Sequence, residues 1–341
     1  MMINTMDHAI SSSPACSNCR HTATCSGKLD VTLAGRRRSD LRRLKVLSNG
    51  DDSLLKRRRF ENLDHDLPHH SCVIGRRREM EDAVSVELGF VNEDSRKFDF
   101  YGVYDGHGGS RVADACRERL HKVLGAEMEM EIGNGNTAEM DWERLMVESF
   151  AKMDEEVNET DLVGSMGSTA VVAVVRDDEI VVANCGDSRA VLSRCGAAVP
   201  LSNDHKPDRP DELERIERSG GRVVNWNGQR VMGVLATSRS LGDRQLNPYV
   251  IAKPEVIVKK REDGDEFMIL ASDGLWDVIS NDMACHVVRK CLDGRIICRR
   301  RSQQMNDTQY RMTNAATLLS GLTMARGSND NISVIVVNLK D

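Results

Sequence analysis

The sequence predicts an α+β fold, in which largely antiparallel sheets carry helices on their outer sides. Apolar runs of strand length and amphipathic stretches of helix length come in blocks, whereas a parallel sheet requires strict alternation of strands and helices. The polar residues 176–178 separate two of these apolar runs, as expected of a hairpin. The apolar share of 40% and the charged share of 29% are typical of a globular chain.

Each element follows from the spacing of its apolar residues, two for strands and three or four for helices. The predicted strands are 71–75, 85–91, 98–104, 167–175, 179–184, 190–194, 222–226, 230–236, 266–272 and 332–339. The predicted helices are 110–124, 142–159, 210–219, 281–292 and 313–326. Asp208 is the expected N-cap of the helix at 210–219, because its side chain can accept a bond from a free backbone N–H.

The charge distribution divides the chain into a disordered basic tail, 1–68, and a folded domain, 69–341. Residues 1–59 hold 12 Lys and Arg against 5 Asp, and the remainder holds 35 basic against 48 acidic residues. The basic runs at 35–45 and 56–59 are typical of a nuclear-import signal or of a solvated arm. We therefore expect the protein in both nucleus and cytoplasm.

Several classes of protein are disfavoured by composition. An acidic domain argues against an enzyme of nucleic acids, whose surface should be basic. The sequence has no apolar run of about 18 residues, so no membrane span is expected. Its first residues lack the pattern of a secretory signal. The ten cysteines are scattered, which suits reduced thiols. Cys16, Cys19, His21 and Cys25 are spaced too tightly to favour a zinc site.

The stretch 98–109, FDFYGVYDGHGG, is the part around which the chain is organised. A strand-forming segment is expected to break at Asp105, where glycines let the backbone turn sharply. A hard cation such as Mg²⁺ or Mn²⁺ could then reach the Asp105 carboxylate and the Gly106 carbonyl, with His107 beside it to transfer a proton. The alternative is a tight turn with one exposed histidine.

Carboxylates recur at the ends of other predicted strands. If these ends converge, the carboxylates cannot all ionise without cations, and two divalent ions would neutralise them. Such ions activate water and stabilise displacement at phosphorus. The alternative is that Asp is simply common in turns. The residues concerned are Glu81, Asp82, Asp105, Asp187, Asp273, Asp277 and Asp330.

Three consecutive arginines precede Glu81, and a guanidinium can bind two phosphate oxygens at once. Arg77 is one candidate for this task. Arg76 or Arg78 could serve instead, or all three could be solvated, since spacing alone does not choose among them.

Eight motifs resemble, in order, those of the metal-dependent Ser/Thr protein phosphatases of type 2C. The resemblance spans about 69–341. The motifs are GRRREMEDA (75–83), VYDGHGG (103–109), GSTA (167–170), ANCGDSRA (183–190), NDHKP (203–207), SRSLGD (238–243), LASDGLWDV (270–278) and SNDNISVIVV (328–337).

The resemblance implies a β-sandwich of two antiparallel sheets flanked by helices, and direct attack of water on phosphorus without a phosphoenzyme. It implies two Mg²⁺ or Mn²⁺ ions, with Asp105 bridging them and Gly106 lending its carbonyl. Glu81, Asp82, Asp273 and Asp330 complete this set. Asp187 and Asp277, with Asp273, match the positions of a weaker third metal in some members. Arg77 matches the phosphate-binding arginine, and His107 matches the general acid.

Segment 220–256 resembles more narrowly the clade A branch of plant type 2C phosphatases, the co-receptors of abscisic acid. In that branch a tryptophan at the position of Trp226 contacts the hormone-bound receptor, which covers the metal cleft and inhibits the enzyme. The implied substrate is the phosphorylated activation loop of Snf1-related kinases. Residues at Met232 and Thr237 often differ among related chains, which leaves receptor preference open. A tryptophan buried at a strand end is the alternative for Trp226.

Two other functions remain to be weighed against hydrolysis. The first is a scaffold that binds kinases or receptors without turnover, which the intact acidic and histidine motifs argue against. The second is nucleic-acid binding through 36–59, which we disfavour. We expect a monomer without nucleic-acid or membrane partners.

Overall fold

The computed structural model describes residues 69–93, 96–133, 140–159, 164–296 and 307–340. The predicted tail, with its basic runs and its cysteine cluster, lies outside these residues. Within the described ranges, the chain contains no helix with the length and apolar character needed to cross a bilayer.

Strands and helices occur in separate blocks along the chain, as the sequence predicts. The strands are β1 (His70–Val73), β2 (Asp82–Glu93), β3 (Arg96–His107), β4 (Gly167–Ser168), β5 (Ala170–Val175), β6 (Glu179–Cys185), β7 (Arg189–Arg194), β8 (Ala197–Pro200), β9 (Val223–Asn225), β10 (Gln229–Val231), β11 (Leu241–Gly242), β12 (Glu255–Lys260), β13 (Asp265–Ala271) and β14 (Ile332–Asn338). The helices are α1 (Arg111–Gly133), α2 (Trp142–Asn158), α3 (Pro210–Arg218), α4 (Asp273–Trp276), α5 (Asn281–Leu292) and α6 (Asp307–Ala325), with a 3₁₀ turn at Arg244–Leu246.

Two antiparallel sheets form the centre of the fold. One has the order β1-β14-β13-β7-β8, and the other has the order β11-β4-β3-β5-β6-β12 with β2 paired to β3. Helices α1 and α2 cover the second sheet, while α5 and α6 cover the first. The predicted sandwich of antiparallel sheets flanked by helices is therefore confirmed.

Strand β3 shows how the alternation of side chains builds the core. Its even-numbered residues Phe98, Phe100 and Tyr104 pack in the cluster beneath α1 and α2. Its odd-numbered residues Tyr101 and Val103 pack in the cluster between the two sheets. Because side chains alternate along a strand, the next odd-numbered residues continue this inter-sheet face beyond the apolar core.

A third, smaller cluster holds α3 against the hairpin β9–β10. Ile216, Val231 and Val250 are buried at its centre. Residues 209–250, which surround this cluster, are called the hairpin lobe below.

Some predicted boundaries were wrong for identifiable reasons. Strand β3 does not break at Asp105 but continues to His107, because Gly106 and His107 pair with β4. Asp208 is not the N-cap of α3: Arg209 takes that position without a side-chain bond, and proline follows it at the first helical position. The apolar run 167–175 forms two strands instead of one. It is divided at Thr169, whose hydroxyl is hydrogen-bonded to the Ser188 hydroxyl.

Candidate active site

The site is built first on the paired ends of β2 and β3. Asp82 and Asp105 are direct partners in this antiparallel pair. The Asp105 N–H also donates to the Thr169 hydroxyl at 3.3 Å, and the Thr169 N–H donates to the Asp105 carbonyl at 2.9 Å. These bonds fix the strand end that carries Asp105 and His107 on one face.

The other sheet contributes Asp273 and Asp330. Asp273 follows β13 and begins α4, while Asp330 directly precedes β14. Strands β13 and β14 are neighbours in their sheet. The buried Ser272 hydroxyl donates to Asp82 at 2.9 Å and accepts from the Ser333 N–H at 3.1 Å, so it joins the two sheets at this edge.

The carboxylates lie close enough together for their charges to act on one another. Burial raises the pKa of Asp82 to about 7, and Asp330 adds to the rise. Burial and the charges of Asp82, Asp273, Asp187 and Asp330 raise the pKa of Asp105 well above its usual range. The pKa of Asp273 is raised in the same way by burial and by neighbouring carboxylates. Without cations, the site therefore resists full ionisation.

The residues present fit divalent cations. The Asp82 Oδ1 atom is buried and has no hydrogen-bond partner, which marks it as an oxygen that lacks its ligand. A Cβ at Gly106 would overlap the Glu81 carbonyl oxygen, so only glycine lets these main chains approach. Among the described residues, no group of three or more His, Cys, Asp or Glu side chains is arranged so as to hold a metal ion by itself. Mg²⁺ suits such an open set, because it keeps several waters and takes few carboxylates.

Arg77 is the arginine that the structure brings to these carboxylates. Its guanidinium donates to Asp330 Oδ2 at 2.6 Å, with half of the Arg77 side chain exposed. Burial opposes its charge, but Asp330, Glu81 and Asp105 together raise the pKa of Arg77. Arg76 instead donates to Asn329, and Arg78 is exposed.

Glu81 is held by a residue that the sequence did not single out. The Glu81 N–H donates to the Asn331 side-chain oxygen at 2.8 Å. The Asn331 amide in turn donates to the carbonyls of Ile74 and Glu79 at 2.8 and 3.1 Å. Asn331 thus fixes the arginine-containing loop beside Asp330, although only its place in the SNDNIS motif drew attention to it.

His107 has a carboxylate partner that sequence reasoning also missed. The imidazole Nε2 lies 2.6 Å from Asp243 Oδ2. Asp243 is buried and also accepts from the Ser240 hydroxyl at 2.5 Å. The only signal in the sequence was that Asp243 ends the SRSLGD motif.

Asp187 and Asp277 extend the acidic cluster around Asp273. The charges of Asp187 and Asp277 both act on Asp273, and burial with Asp187 raises the pKa of Asp277. Asp187 is nearly inaccessible, and the Lys206 ammonium lies 2.5 Å from its Oδ2 atom. This part of the site therefore contains a cation belonging to the chain itself.

Trp226 lies at the tip of the β9–β10 hairpin. It is 74% exposed, so the alternative of a buried tryptophan is wrong. Its N–H donates to the Gly228 carbonyl at 2.8 Å, and Arg230 Nε donates to the Trp226 carbonyl at 3.1 Å. The backbone is thus fixed while the indole is presented to solvent.

Comparison with known proteins agrees with this architecture. A family model described as Protein phosphatase 2C matches residues 68–332. The chain is 53% identical over 297 residues to Probable protein phosphatase 2C 8 of Oryza sativa subsp. japonica, covering 79% of this chain and 73% of that protein. It is 44% identical over 360 residues to Protein phosphatase 2C 37 of Arabidopsis thaliana, covering 96% and 86%.

Solved structures share the fold at lower identity. The crystal structure of serine-threonine phosphatase 2C from Toxoplasma gondii superposes with a TM-score of 0.69 at 23% identity, covering 80% of this chain and 98% of that one. A C. elegans sex determining protein superposes with a TM-score of 0.67 at 21% identity, covering 93% and 77%.

Proposed function

Since the chain belongs to the protein phosphatase 2C family of protein serine/threonine phosphatases, we propose that it hydrolyses phosphoserine and phosphothreonine in the cleft lined by its acidic residues. The observation that carries this proposal is the convergence of Asp82, Asp105, Asp273 and Asp330 from both sheets, with Arg77 and His107 beside them.

Proteins of this family generally depend on Mg²⁺ or Mn²⁺. We assign two ions per site to Glu81, Asp82, Asp105, the Gly106 carbonyl, Asp273 and Asp330. When bound, such ions lower the pKa of water and neutralise negative charge on a phosphate ester. The chain's own task is to collect the oxygens that hold them.

Arg77 and His107 are assigned the remaining tasks. The half-exposed guanidinium of Arg77 can turn from Asp330 to bind two phosphate oxygens of a substrate. His107, oriented by Asp243, would donate a proton to the serine or threonine oxygen that leaves.

The proposal is tested by phosphate release from a phosphothreonine peptide. We expect release that requires Mn²⁺ or Mg²⁺ and is abolished by Asp105→Ala. Asp263→Asn, at an exposed site, serves as the control. Absence of release from wild type that still binds a kinase or a receptor would favour the non-catalytic scaffold.

For regulation, we propose that the protein acts negatively in abscisic acid signalling. Phosphorylated Snf1-related kinases would be its substrates, and hormone-bound receptors would be its inhibitors. The support is the resemblance of segment 220–256 together with the exposed indole of Trp226, a side chain suited to anchoring an interface. Assaying the phosphatase with receptor alone, hormone alone and both together tests this role. Inhibition that needs both supports it, and unchanged activity with both contradicts it.

A further inference from the structure

Lys206 places an ammonium group among the carboxylates on one side of the site. Its Nζ lies 2.5 Å from Asp187 Oδ2. The Lys206 side chain is 39% exposed, whereas that of Asp187 is 7% exposed. Partial burial opposes the charge of Lys206, but Asp187, Asp273 and Asp277 all act on it and raise its pKa. The Lys206 ammonium is therefore paired directly with Asp187, and the charges of Asp273 and Asp277 also act on it.

The backbone around Lys206 is fixed to the strand end that carries Asp187. The His205 N–H donates to the Gly186 carbonyl at 3.0 Å, and the Gly186 N–H donates to His205 Nδ1 at 3.0 Å. The His205 carbonyl accepts from the Ser238 N–H at 2.8 Å and from the Thr237 hydroxyl at 3.0 Å. Because both chain segments are held together, the ammonium–carboxylate contact is built into the fold.

A second cation, Arg189, also acts on this cluster. The Arg189 guanidinium donates to both oxygens of Asp204, at 2.8 and 2.6 Å. Its charge is also felt by Asp277 and Asp187. Basic side chains of the protein thus provide positive charge near Asp187, Asp273 and Asp277. Asp82 differs, because its Oδ1 atom has no hydrogen-bond partner.

We propose that the Lys206 ammonium is the resident cation of the cluster Asp187, Asp273 and Asp277, and that a divalent ion binds there only when this ammonium is displaced. The resemblance placed a weak third metal at these residues. A divalent ion at Asp187 would have to share its oxygens with an ammonium 2.5 Å away, which like-charge repulsion disfavours. This inference goes beyond the proposed hydrolysis and shares only Asp273 with it.

The first test measures thermal unfolding in EDTA. We expect Lys206→Met to lower Tm by about 2–4 °C, because three carboxylates lose their counter-charge. Adding Asp187→Asn to that variant should restore part of the loss, and Lys206→Arg should lose less than Lys206→Met. The exposed Lys122→Met is the matched control and should leave Tm unchanged. An unchanged Tm in Lys206→Met would overturn the proposal.

The second test counts bound Mn²⁺ by calorimetric titration. Lys206→Met should bind one Mn²⁺ more per chain than wild type, and Asp187→Asn in that background should remove it. Asp187→Asn alone should leave the wild-type number unchanged. Loss of an ion on that single change would overturn the proposal, as would equal numbers in Lys206→Met and wild type. If wild type binds no Mn²⁺ at all, the proposed hydrolytic site fails, and the EDTA experiment still decides the role of Lys206.

Discussion

His107 and Asp243 are joined by a contact of 2.6 Å between Nε2 and Oδ2, across 136 positions of sequence. Asp243 takes a left-handed backbone conformation with φ of 49°, which is uncommon for a residue other than glycine. A Cβ at Gly167 would overlap both side chains. The strained backbone, the glycine and the contact together indicate that the orientation of the imidazole is specified by the fold.

Asp243→Asn should therefore reduce hydrolysis of phosphoserine peptides by about tenfold or more, because a misoriented acid transfers its proton poorly. Hydrolysis of p-nitrophenyl phosphate should fall much less, since its leaving group needs little protonation. The measurement is the ratio of kcat/KM for the two substrates, with Asp263→Asn as the control. Equal losses on both substrates would contradict a positioning role.

Arg77→Ala should lower kcat/KM for a phosphopeptide by about 10- to 100-fold, which is the worth of a charge-assisted contact to phosphate. Arg78→Ala is the matched control, because Arg78 is adjacent and exposed. Stability should change by no more than about 1 kcal/mol, since both side chains of the Arg77–Asp330 pair are partly exposed to solvent. If Arg78→Ala produced the larger kinetic loss, the phosphate-binding arginine would be misassigned.

Asp82 makes the stability of the metal-free protein depend on pH. Its pKa is about 7 in the folded chain against an ordinary 3.8, so the folded state holds a proton that the unfolded state releases. Stability should consequently fall as pH rises from about 4 to 7, by up to about 4 kcal/mol from this group.

The measurement is urea unfolding in EDTA at pH 5 and pH 7.5. Asp82→Asn isolates this carboxyl from histidines that titrate in the same range, and it should flatten the decline. Mn²⁺ should raise the stability of wild type most at pH 7.5. An identical pH dependence in wild type and Asp82→Asn would contradict the assignment.

Glu212 is the centre of the ion pairs that hold the hairpin lobe. Its carboxylate is nearly inaccessible and accepts from Arg239 at 2.6 Å, Arg215 at 2.8 Å and the Ser238 hydroxyl at 2.6 Å. Glu212→Gln should cost about 3–5 kcal/mol of unfolding free energy, because two partly buried arginines lose the counter-charge of a buried carboxylate. Glu214→Gln, whose pair with Arg218 is exposed, should cost less than about 0.5 kcal/mol. Similar values for both in denaturant unfolding would show that Glu212 is not structurally central.

Trp226→Ala should leave peptide hydrolysis within about twofold of wild type while weakening inhibition by hormone-bound receptor at least tenfold. The reason is that the indole is exposed and far in sequence from the acidic motifs, while the hairpin is held by backbone bonds. Leu88→Ala, an exposed apolar residue on β2, is the control. Full inhibition of Trp226→Ala would remove the tryptophan from the interface.

Local patterns predicted the elements that are buried on both faces. Strands β13 and β14 agree with the prediction to within one residue, because long apolar runs leave little choice. The bounds of α5 match the predicted 281–292 because its apolar residues recur at helical spacing on one face. Strand β12 was missed, since its last three residues are exposed and an edge strand needs no apolar run. Buried elements can therefore be predicted from their apolar residues. Edge strands depend on pairing with distant segments, which no local pattern reveals.

The site shows the same division. The carboxylates at strand ends were recognisable because each lies in a turn motif beside an apolar run. The contacts of His107 with Asp243 and of Asp187 with Lys206 depend on which distant turns meet, and no local spacing encodes that. The motifs that contain Asp243 and Lys206 were recognised in the sequence, but the contacts made by these two residues were not predicted.

The continuation of β3 through Gly106 to His107 also limits how the protein can be controlled. Asp105 and His107 are two positions apart on one hydrogen-bonded strand, so they move as a single rigid piece. A regulator would gain little by trying to pull them apart, because doing so would break the centre of a sheet. Inhibition is easier by blocking access to the cleft. Asp105 and His107 then keep their positions, and activity returns when the inhibitor dissociates.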